Sequence, residues 1–300
     1  MNDQATQLRA IMQTSAADAG EQHEVCGGAP LAGLIVVAGA KGGVGTTTVA
    51  ANLAAMLVSL GESAVLVDAD FAQADATELC HIVPQRTLTD VLADRADPFD
   101  VLQRHETGLR VLPAAWAPQQ PLEPSATMRQ RLAATLAQLA RRARFTIVDA
   151  GSAGTKLTQQ LCLRAALTLL ITTCDDASVT NAYSSLKLLA PRNGAGRLAT
   201  LANLVDDYAA ADAVQDRLET AARRFLGATV ESAGHLIRCP IMEHQRRTGW
   251  LGAALPTCEA KSFFHRLAMT EQLHRDRTAT APVDSDPSAM SPASFAPATA

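Results

Sequence analysis

Short apolar runs alternate with amphipathic stretches from residue 33 to residue 277. Short β-branched runs between turn residues predict buried strands, and longer Ala- and Leu-rich stretches predict helices. Regular alternation of the two is typical of an α/β fold with a doubly wound, mostly parallel sheet flanked by helices. The predicted strands are Leu34–Ala38, Ser63–Val67, Leu109–Leu112, Phe145–Val148, Leu167–Thr172, Thr200–Val205 and Gly234–Ile237. The clearest predicted helices are Thr47–Leu60, Ser125–Ala143, Val179–Ala190 and Asp207–Phe225.

The two ends of the chain differ from this single domain. Residues 1–13 place apolar side chains at helical spacing behind Asp3, a plausible N-cap, and therefore predict a short amphipathic helix. Ser, Ala and Gly dominate residues 14–32, which predicts a flexible linker. Residues 278–300 consist mainly of Ala, Pro, Ser, Thr and Asp, so they offer little to bury and predict a disordered tail.

The composition and charge of the chain indicate its compartment and the kinds of partner it can bind. The formal charge of −4 and the pI near 6.0 do not favour a dedicated nucleic-acid binder, and the basic run Arg141–Arg144 is typical of a solvated helix end. The six cysteines form no CxxC motif, which is typical of a reducing compartment. No signal-peptide pattern and no apolar run of about 20 residues is present. We therefore expect a cytoplasmic protein without a specific nucleic-acid partner.

A glycine-rich loop, AGAKGGVGTTT, lies between the first predicted strand and its helix. Its glycines let the backbone curl, so that N–H groups point at an anion above the helix N-terminus. The general phosphate-loop pattern GxxxxGK[ST] fails twice, at Ala40 and at Thr46, which stands in the place of the lysine. Thr47 and Thr48 could instead simply cap the helix, but the strand–turn–helix context favours phosphate binding.

Two acidic segments follow at the ends of later predicted strands, AVLVDADFAQAD with Asp68 and Asp70, and TIVDAGSAG with Asp149 and Gly151. A carboxylate at a strand end close to a phosphate loop is suited to holding a metal ion or positioning water. The alternative for Asp149 is that it caps the helix that follows. The ordered recurrence of loop, DxD and DxG favours the site.

Lys41, directly before the double glycine, makes the loop similar to that of a known family. The stretch resembles the deviant Walker A loop KGGxGK[ST] of MinD/ParA-type P-loop ATPases, which belong to the SIMIBI class, although its second lysine is degenerate here. The resemblance implies ATP and Mg²⁺ as cofactors. It implies catalytic roles for Lys41, which reaches the nucleotide of a facing subunit, and for Asp70, near the attacking water. It further implies nucleotide contacts for Gly42, Gly43, Val44, Gly45, Thr46, Thr47, Thr48, Gly151 and, at the adenine, Asn203, and Mg²⁺ contacts for Thr47, Asp68 and Asp149.

Two further stretches resemble the flagellar FlhG/FleN branch of this family. Residues 169–189, LLITTCDDASVTNAYSSLKLL, are similar to its TTPEPTxxTDAYxxIK segment, with Cys174 in place of the proline. The N-terminus reproduces its DQAxxLR element through Asp3, Gln4, Leu8 and Arg9. In FlhG-type proteins this element engages and stimulates the signal-recognition-type GTPase FlhF, so the resemblance implies such a partner. The alternative is that the N-terminal helix docks on its own domain.

Some positions depart from the family pattern. Asp75 stands where the family tends to have Asn, and Gly234–Cys239 lacks the Pro and the Asp of the base-side loop. The missing loop lysine removes charge-assisted bonds worth roughly 1.5–3 kcal/mol, or about ten- to a hundredfold in affinity. Hydrolysis suffers more, because the same charge stabilises the transferring phosphoryl group.

These observations together predict a FlhG-like regulator of flagellar placement or number. It binds ATP weakly with slow or no hydrolysis, forms a nucleotide-dependent homodimer and acts on an FlhF-like GTPase through its N-terminal element. The alternative is a non-catalytic MinD-like localisation scaffold for cellulose secretion or pilus assembly, similar to BcsQ or CpaE/TadZ. A DNA-partition ATPase is disfavoured by the acidic balance. The only candidate for a membrane-targeting helix is Lys261–Ala268, which aligns with the last core helix, so we expect weak membrane association at most.

Overall fold

A computed structural model of the chain describes residues 29–114, 124–190 and 196–280. The predicted N-terminal arm, with Asp3, Gln4, Leu8 and Arg9, lies outside the described residues, as does the tail from residue 281. The first strand begins at Leu31 and the last helix runs to Thr280. Leu31, Ala32 and residues 278–280 therefore belong to secondary structure and not to the predicted linker and tail.

One sheet forms the centre of the described structure. Its strands are β1 (Leu31–Gly39), β2 (Ala64–Asp68), β3 (Gln103–Arg104), β4 (Arg110–Leu112), β5 (Phe145–Ser152), β6 (Ala165–Thr172), β7 (Arg197–Val205) and β8 (Glu231–Ile237). They lie in the order β3-β4-β2-β5-β1-β6-β7-β8, and every pairing is parallel except that of β3 with β4. All seven predicted strands are present, which confirms the doubly wound fold.

Helices cover both faces of this sheet. They are α1 (Thr46–Ser59), α2 (Asp75–Leu79), α3 (Leu88–Leu92), α4 (Pro98–Val101), α5 (Ala126–Arg142), α6 (Lys156–Cys162), α7 (Asp176–Leu189), α8 (Tyr208–Ala221), α9 (Pro240–Glu243), α10 (Gln245–Thr248) and α11 (Glu259–Thr280), with a π-turn at Ala222–Leu226 and a 3₁₀ turn at Gly252–Ala254. Helices α1 and α11 pack on one face and α5 to α8 on the other. Within the described part of the chain, none of them combines the length and the apolar character needed to cross a membrane.

The strand order decides where a ligand can bind. Strand β1 lies between β5 and β6, while β2 lies on the far side of β5. From β1 to β2 the chain therefore runs towards one edge of the sheet, and from β5 to β6 it runs towards the other. In open parallel sheets the crevice at such a switch point, outside the carboxyl ends of the strands, is the usual ligand site. The glycine-rich loop and the two acidic segments lie at the carboxyl ends of β1, β2 and β5, so all three predicted motifs meet at this edge.

Candidate nucleotide-binding site

A cleft of about 510 Å³ opens at the carboxyl edge of the sheet. The structure brings together here the three segments that the sequence singled out: the loop after β1 and the acidic segments at the carboxyl ends of β2 and β5. The lining residues are Lys41, Gly42, Gly43, Gly45, Thr46, Thr47, Thr48, Ala69, Asp70, Phe71, Ala72, Gln73, Asp75, Ala150, Gly151, Ser152, Thr155 and Leu157. Of the other predicted site residues, Val44, Asp68, Asp149 and Asn203 are buried and do not line the cleft.

The loop backbone has the shape that an anion requires. Gly43 and Gly45 adopt left-handed conformations, with φ of 76° and 87°, which other residues seldom adopt. A Cβ added at Gly42 or Gly43 would meet no atom within 4 Å, so this side of the loop is open. Helix α1 starts at Thr46. Its unpaired N–H groups and the loop amides form an anion-binding N-terminus.

Thr46 contributes no charge to this cradle. Thr46 is only 9% exposed, and its hydroxyl lies so close to Gly39 that a Cβ added to Gly39 would collide with it. The short side chain is therefore turned back against the end of β1. The position that supplies a lysine in a standard loop is occupied here by a small neutral group.

Lys41, the lysine that precedes the double glycine, is bound within its own chain. Its Nζ lies 2.9 and 3.0 Å from the two carboxylate oxygens of Asp175. Asp175 also accepts from the Thr173 hydroxyl and caps α7 by accepting from Ser178 N at 2.9 Å. The bonds from Thr173 and Lys41 hold the pKa of Asp175 well below its usual range. The pair is exposed to solvent, with 34% and 50% of the side-chain surfaces accessible.

Two buried carboxylates, Asp68 and Asp149, lie side by side beneath the cleft, because β2 and β5 pair in register at this point. Asp149 accepts from Gly151 N at 3.4 Å and from the Thr47 hydroxyl. Asp68 accepts from Thr77 N and Thr77 Oγ1 at 3.0 and 2.7 Å. Burial raises the pKa of Asp149 to about 7 and that of Asp68 to about 8. One oxygen of each, Oδ2 of Asp149 and Oδ1 of Asp68, has no hydrogen-bond partner.

The donor set suits a magnesium ion that arrives with a nucleotide. Among residues 29–114, 124–190 and 196–280, no three His, Cys, Asp or Glu side chains form a metal site by themselves. Mg²⁺ is usually held by one or two carboxylates together with phosphates and water. Asp149 fits this role, because one of its oxygens is unpartnered and the Thr47 hydroxyl interacts with the same carboxylate. Bound there, the ion would offset phosphate charge.

The acid pair gives a testable dependence of stability on pH. Between the ordinary Asp pKa of 3.8 and the raised values, the folded chain holds more protons than the unfolded chain, so stability falls as pH rises. We expect the metal-free protein to lose stability from pH 5 to pH 8, at up to about 1.4 kcal/mol per proton and pH unit. Urea unfolding at several pH values measures this loss. Asp149→Asn should flatten the curve, and an unchanged slope in that variant would contradict the assignment.

Asp70 lies directly against Gly151 in the lining of the cleft. Asp70 Oδ1 accepts from Ala72 N and Gln73 N at 3.0 and 3.2 Å, which fixes the carboxylate. Gly151 has a φ of 62°, and a Cβ there would lie 2.5 Å from Asp70 Oδ2. Burial raises the pKa of Asp70. Glycine is thus required at 151 for the carboxylate to reach over the strand end.

Asn203 lies under the loop. It is 3% exposed, and its Nδ2 donates to the Val44 carbonyl at 2.8 Å. Its contact in the structure is therefore the loop backbone, whereas the resemblance implied adenine. After β8, Pro240 occupies the first position of α9, so a proline follows the segment Gly234–Cys239 in which the sequence showed none.

Sequence reasoning missed a buried amide pair that supports the site. Asn52 Nδ2 donates to Gln245 Oε1 at 3.0 Å and Gln245 Nε2 donates to Asn52 Oδ1 at 2.9 Å. Asn52 also binds Thr48 O and Gly252 N, and Gln245 binds Trp250 O. The pair ties the phosphate-binding helix to the segment after β8. The only signal in the sequence is Asn52 itself, a polar residue inside an otherwise apolar helix.

Comparison with known proteins identifies the family to which the chain is similar. A model described as an AAA domain matches residues 32–186. The antiactivator FleN of Pseudomonas aeruginosa is 33% identical over 202 residues, 67% of this chain and 72% of FleN. The septum site-determining protein MinD of Synechocystis is 43% identical over 86 residues, which is 27% of this chain and 32% of that protein.

Solved structures agree with the fold. The cell division ATPase MinD of Pyrococcus furiosus superposes with a TM-score of 0.67 at 22% identity, covering 81% of this chain and 99% of that one. MinD of Pyrococcus horikoshii complexed with Mg-ADP gives a TM-score of 0.65 at 21% identity and covers 80% and 96%. Fold and site thus define a P-loop ATPase of the MinD/ParA type. The chain belongs to the FlhG/FleN branch of that family, with Thr46 in place of the Walker A lysine.

Proposed function

We propose that this protein is a FlhG-like regulator of flagellar placement or number that binds ATP·Mg²⁺ weakly and hydrolyses it slowly or not at all. The observation that carries the proposal is an open glycine cradle beside an uncharged Thr46. The similarity to FleN, an antiactivator, supports the flagellar assignment. It acts in the cytoplasm with at most weak, peripheral association with the inner face of the membrane.

Nucleotide binding in this proposal depends on the parts of the site that remain. The loop amides and the N-terminus of α1 bind the phosphates, while Thr47 and Asp149 hold the magnesium ion. The charge-assisted bonds of the absent lysine are missing, at a cost of roughly 1.5–3 kcal/mol. Lys41 does not replace them within one subunit because Asp175 holds it.

A homodimer would supply the missing charge. An exposed ion pair such as Lys41–Asp175 contributes little stability, about 0.2–1 kcal/mol. The phosphates of a facing subunit carry more negative charge than one carboxylate and compete for the lysine. We propose that ATP binding frees Lys41 in this way and so promotes the dimer.

Replacing Asp175 with asparagine should favour the ATP-dependent dimer by about two- to fivefold, the effect of one exposed ion pair. Asparagine keeps the cap of α7 and removes the charge that holds Lys41. Sedimentation velocity with and without ATP·Mg²⁺ measures the dimer fraction. Asp176→Asn, the adjacent exposed acid, is the matched control. Equal effects of the two substitutions would contradict the release of Lys41.

The partner is proposed to be an FlhF-like GTPase, bound through Asp3, Gln4, Leu8 and Arg9. The 21 residues 10–30 separate this element, which ends at Arg9, from the start of β1 at Leu31. A flexible chain of that length spans roughly 25 Å on average. The arm can therefore act on a partner's active site while the domain only tethers it, which makes a slow or inactive ATPase site tolerable.

A peptide of residues 1–20 should stimulate GTP hydrolysis by the cognate FlhF-like protein. The double substitution Gln4→Ala and Arg9→Ala in the same peptide should abolish the stimulation, because both polar contacts are lost. Phosphate release under multiple-turnover conditions measures the rate, and a peptide of scrambled order is the control. No stimulation at high micromolar peptide would reject the flagellar assignment of the arm and favour the localisation scaffold for secretion or pilus assembly.

A further inference from the structure

Asn203 joins two segments that are far apart in sequence. Its Nδ2 donates to the Val44 carbonyl at 2.8 Å, and the same nitrogen fills the place that a Cβ on Gly45 would take. The side chain is 97% buried beneath the loop, so this bond is shielded from water. Glycine is required at 45 both by the φ of 87° and by this close approach.

The bond fixes the orientation of one peptide unit in the phosphate-binding loop. A trans peptide is planar, so the carbonyl of Val44 and the N–H of Gly45 point in opposite directions. Because Asn203 holds the carbonyl below the loop, the Gly45 N–H is directed to the opposite side, towards the cleft that Gly45 lines. An amide that faces the cleft before the ligand arrives needs no reorganisation on binding.

A backbone irregularity aims Asn203. In the pairing of β7 with β8, Asn203 lies opposite Leu236 and Val205 opposite Ile237, so Leu204 is an extra residue, a β-bulge. Leu204 has a φ of 56°, the left-handed region that L-residues with a side chain avoid. Such strain persists where the surroundings enforce it, typically at functional sites. Bulges commonly redirect a side chain beside an active site.

We propose that Asn203, aimed by the bulge at Leu204, is a positioning residue that sets the phosphate-binding loop in its anion-binding conformation. This role differs from a contact with the adenine base, because it acts on the phosphates. The identity of the ligand rests on the proposed nucleotide binding. The effect of Asn203 on the conformation of the unliganded loop does not. The two roles separate cleanly with a ligand that lacks a base.

The test compares full-length wild-type protein with Asn203→Ala and with Asn203→Leu, which keeps the volume without the donor. Titration calorimetry measures binding of Mg²⁺·ATP and of Mg²⁺·tripolyphosphate. Hydrogen exchange of the unliganded protein reports on the loop amides at 40–48. Thr200→Val, a buried substitution on the same strand, is the control for general loss of stability.

We expect both Asn203 variants to bind both ligands about tenfold more weakly and to exchange the loop amides faster, while Thr200→Val does neither. Leu204→Gly, which accepts the left-handed backbone, should keep both affinities within about twofold. A loss confined to ATP, with unchanged exchange of the loop, would overturn the proposal in favour of a base contact. If the wild type binds neither ligand, the proposed ATP binding fails, and the exchange of the loop alone decides the role of Asn203.

Discussion

Replacing Thr46 with lysine should strengthen ATP·Mg²⁺ binding by about ten- to a hundredfold, the value of the charge-assisted bonds that the loop lacks. The rest of the site is in place: the glycine loop is open, Thr47 contacts Asp149, and Asp70 is fixed over Gly151. The cleft of about 510 Å³ that Thr46 lines leaves room for the longer side chain. Titration calorimetry measures the affinity, and phosphate release measures hydrolysis.

Thr46→Met is the matched control, because methionine has a similar length and no charge. It should leave the affinity unchanged or lower it. If Thr46→Lys gains neither affinity nor hydrolysis while its fold is intact, the absent lysine is not what limits the site. The altered position Asp75, which lines the same cleft, would then be the next residue to restore to asparagine.

Gly252→Ala should destabilise the protein by about 2–5 kcal/mol, as the sum of left-handed strain and overpacking. Gly252 has a φ of 53°, and a Cβ there would lie 2.6 Å from Met56 N and 2.7 Å from the carbonyl carbon of Ala55. These are backbone atoms in the middle of α1 and cannot rotate away. The substitution would push the segment that carries Gln245 off the phosphate-binding helix. Urea unfolding measures the loss.

Gly227→Ala separates the two contributions. Gly227 has a nearly equal φ of 61°, but a Cβ there would meet no atom within 4 Å. This control should therefore cost only the backbone strain, about 1 kcal/mol. Similar losses in both variants would show that the close approach to α1 is not what makes glycine necessary at 252.

The hydrophobic pattern predicted the fold well wherever a strand is buried along its whole length. It failed at strand ends that carry polar residues. The prediction for β5 stops at Val148, whereas the strand continues to Ser152, because Asp149 and the residues after it belong to the site and interrupt the apolar run. The start of β7 was missed at Arg197, whose charge is neutralised by Glu231 and Glu271. Strand β3 has only two residues and carries no pattern at all.

In the site, too, motifs within one stretch of sequence could be predicted, whereas contacts between residues far apart in sequence could not. The loop, the DxD segment and the DxG segment are each a continuous stretch of sequence. Their order, at the ends of predicted strands, was enough to predict one site. The bonds from Lys41 to Asp175, from Asn52 to Gln245 and from Asn203 to Val44 join residues 134, 193 and 159 positions apart. One sequence does not encode such pairs in any local pattern, and each depends on the completed sheet.

The position of β1 has a consequence for biosynthesis. It is the first described strand to leave the ribosome, yet its neighbours in the sheet are β5 and β6, which begin at Phe145 and Ala165. At about 5–20 residues per second, β1 must wait roughly 5–20 s for its first partner. Throughout that interval an apolar strand with two unpaired edges is accessible to chaperones and to other nascent chains. Translation speed between residues 40 and 145 should therefore govern how much of the newly made protein escapes aggregation.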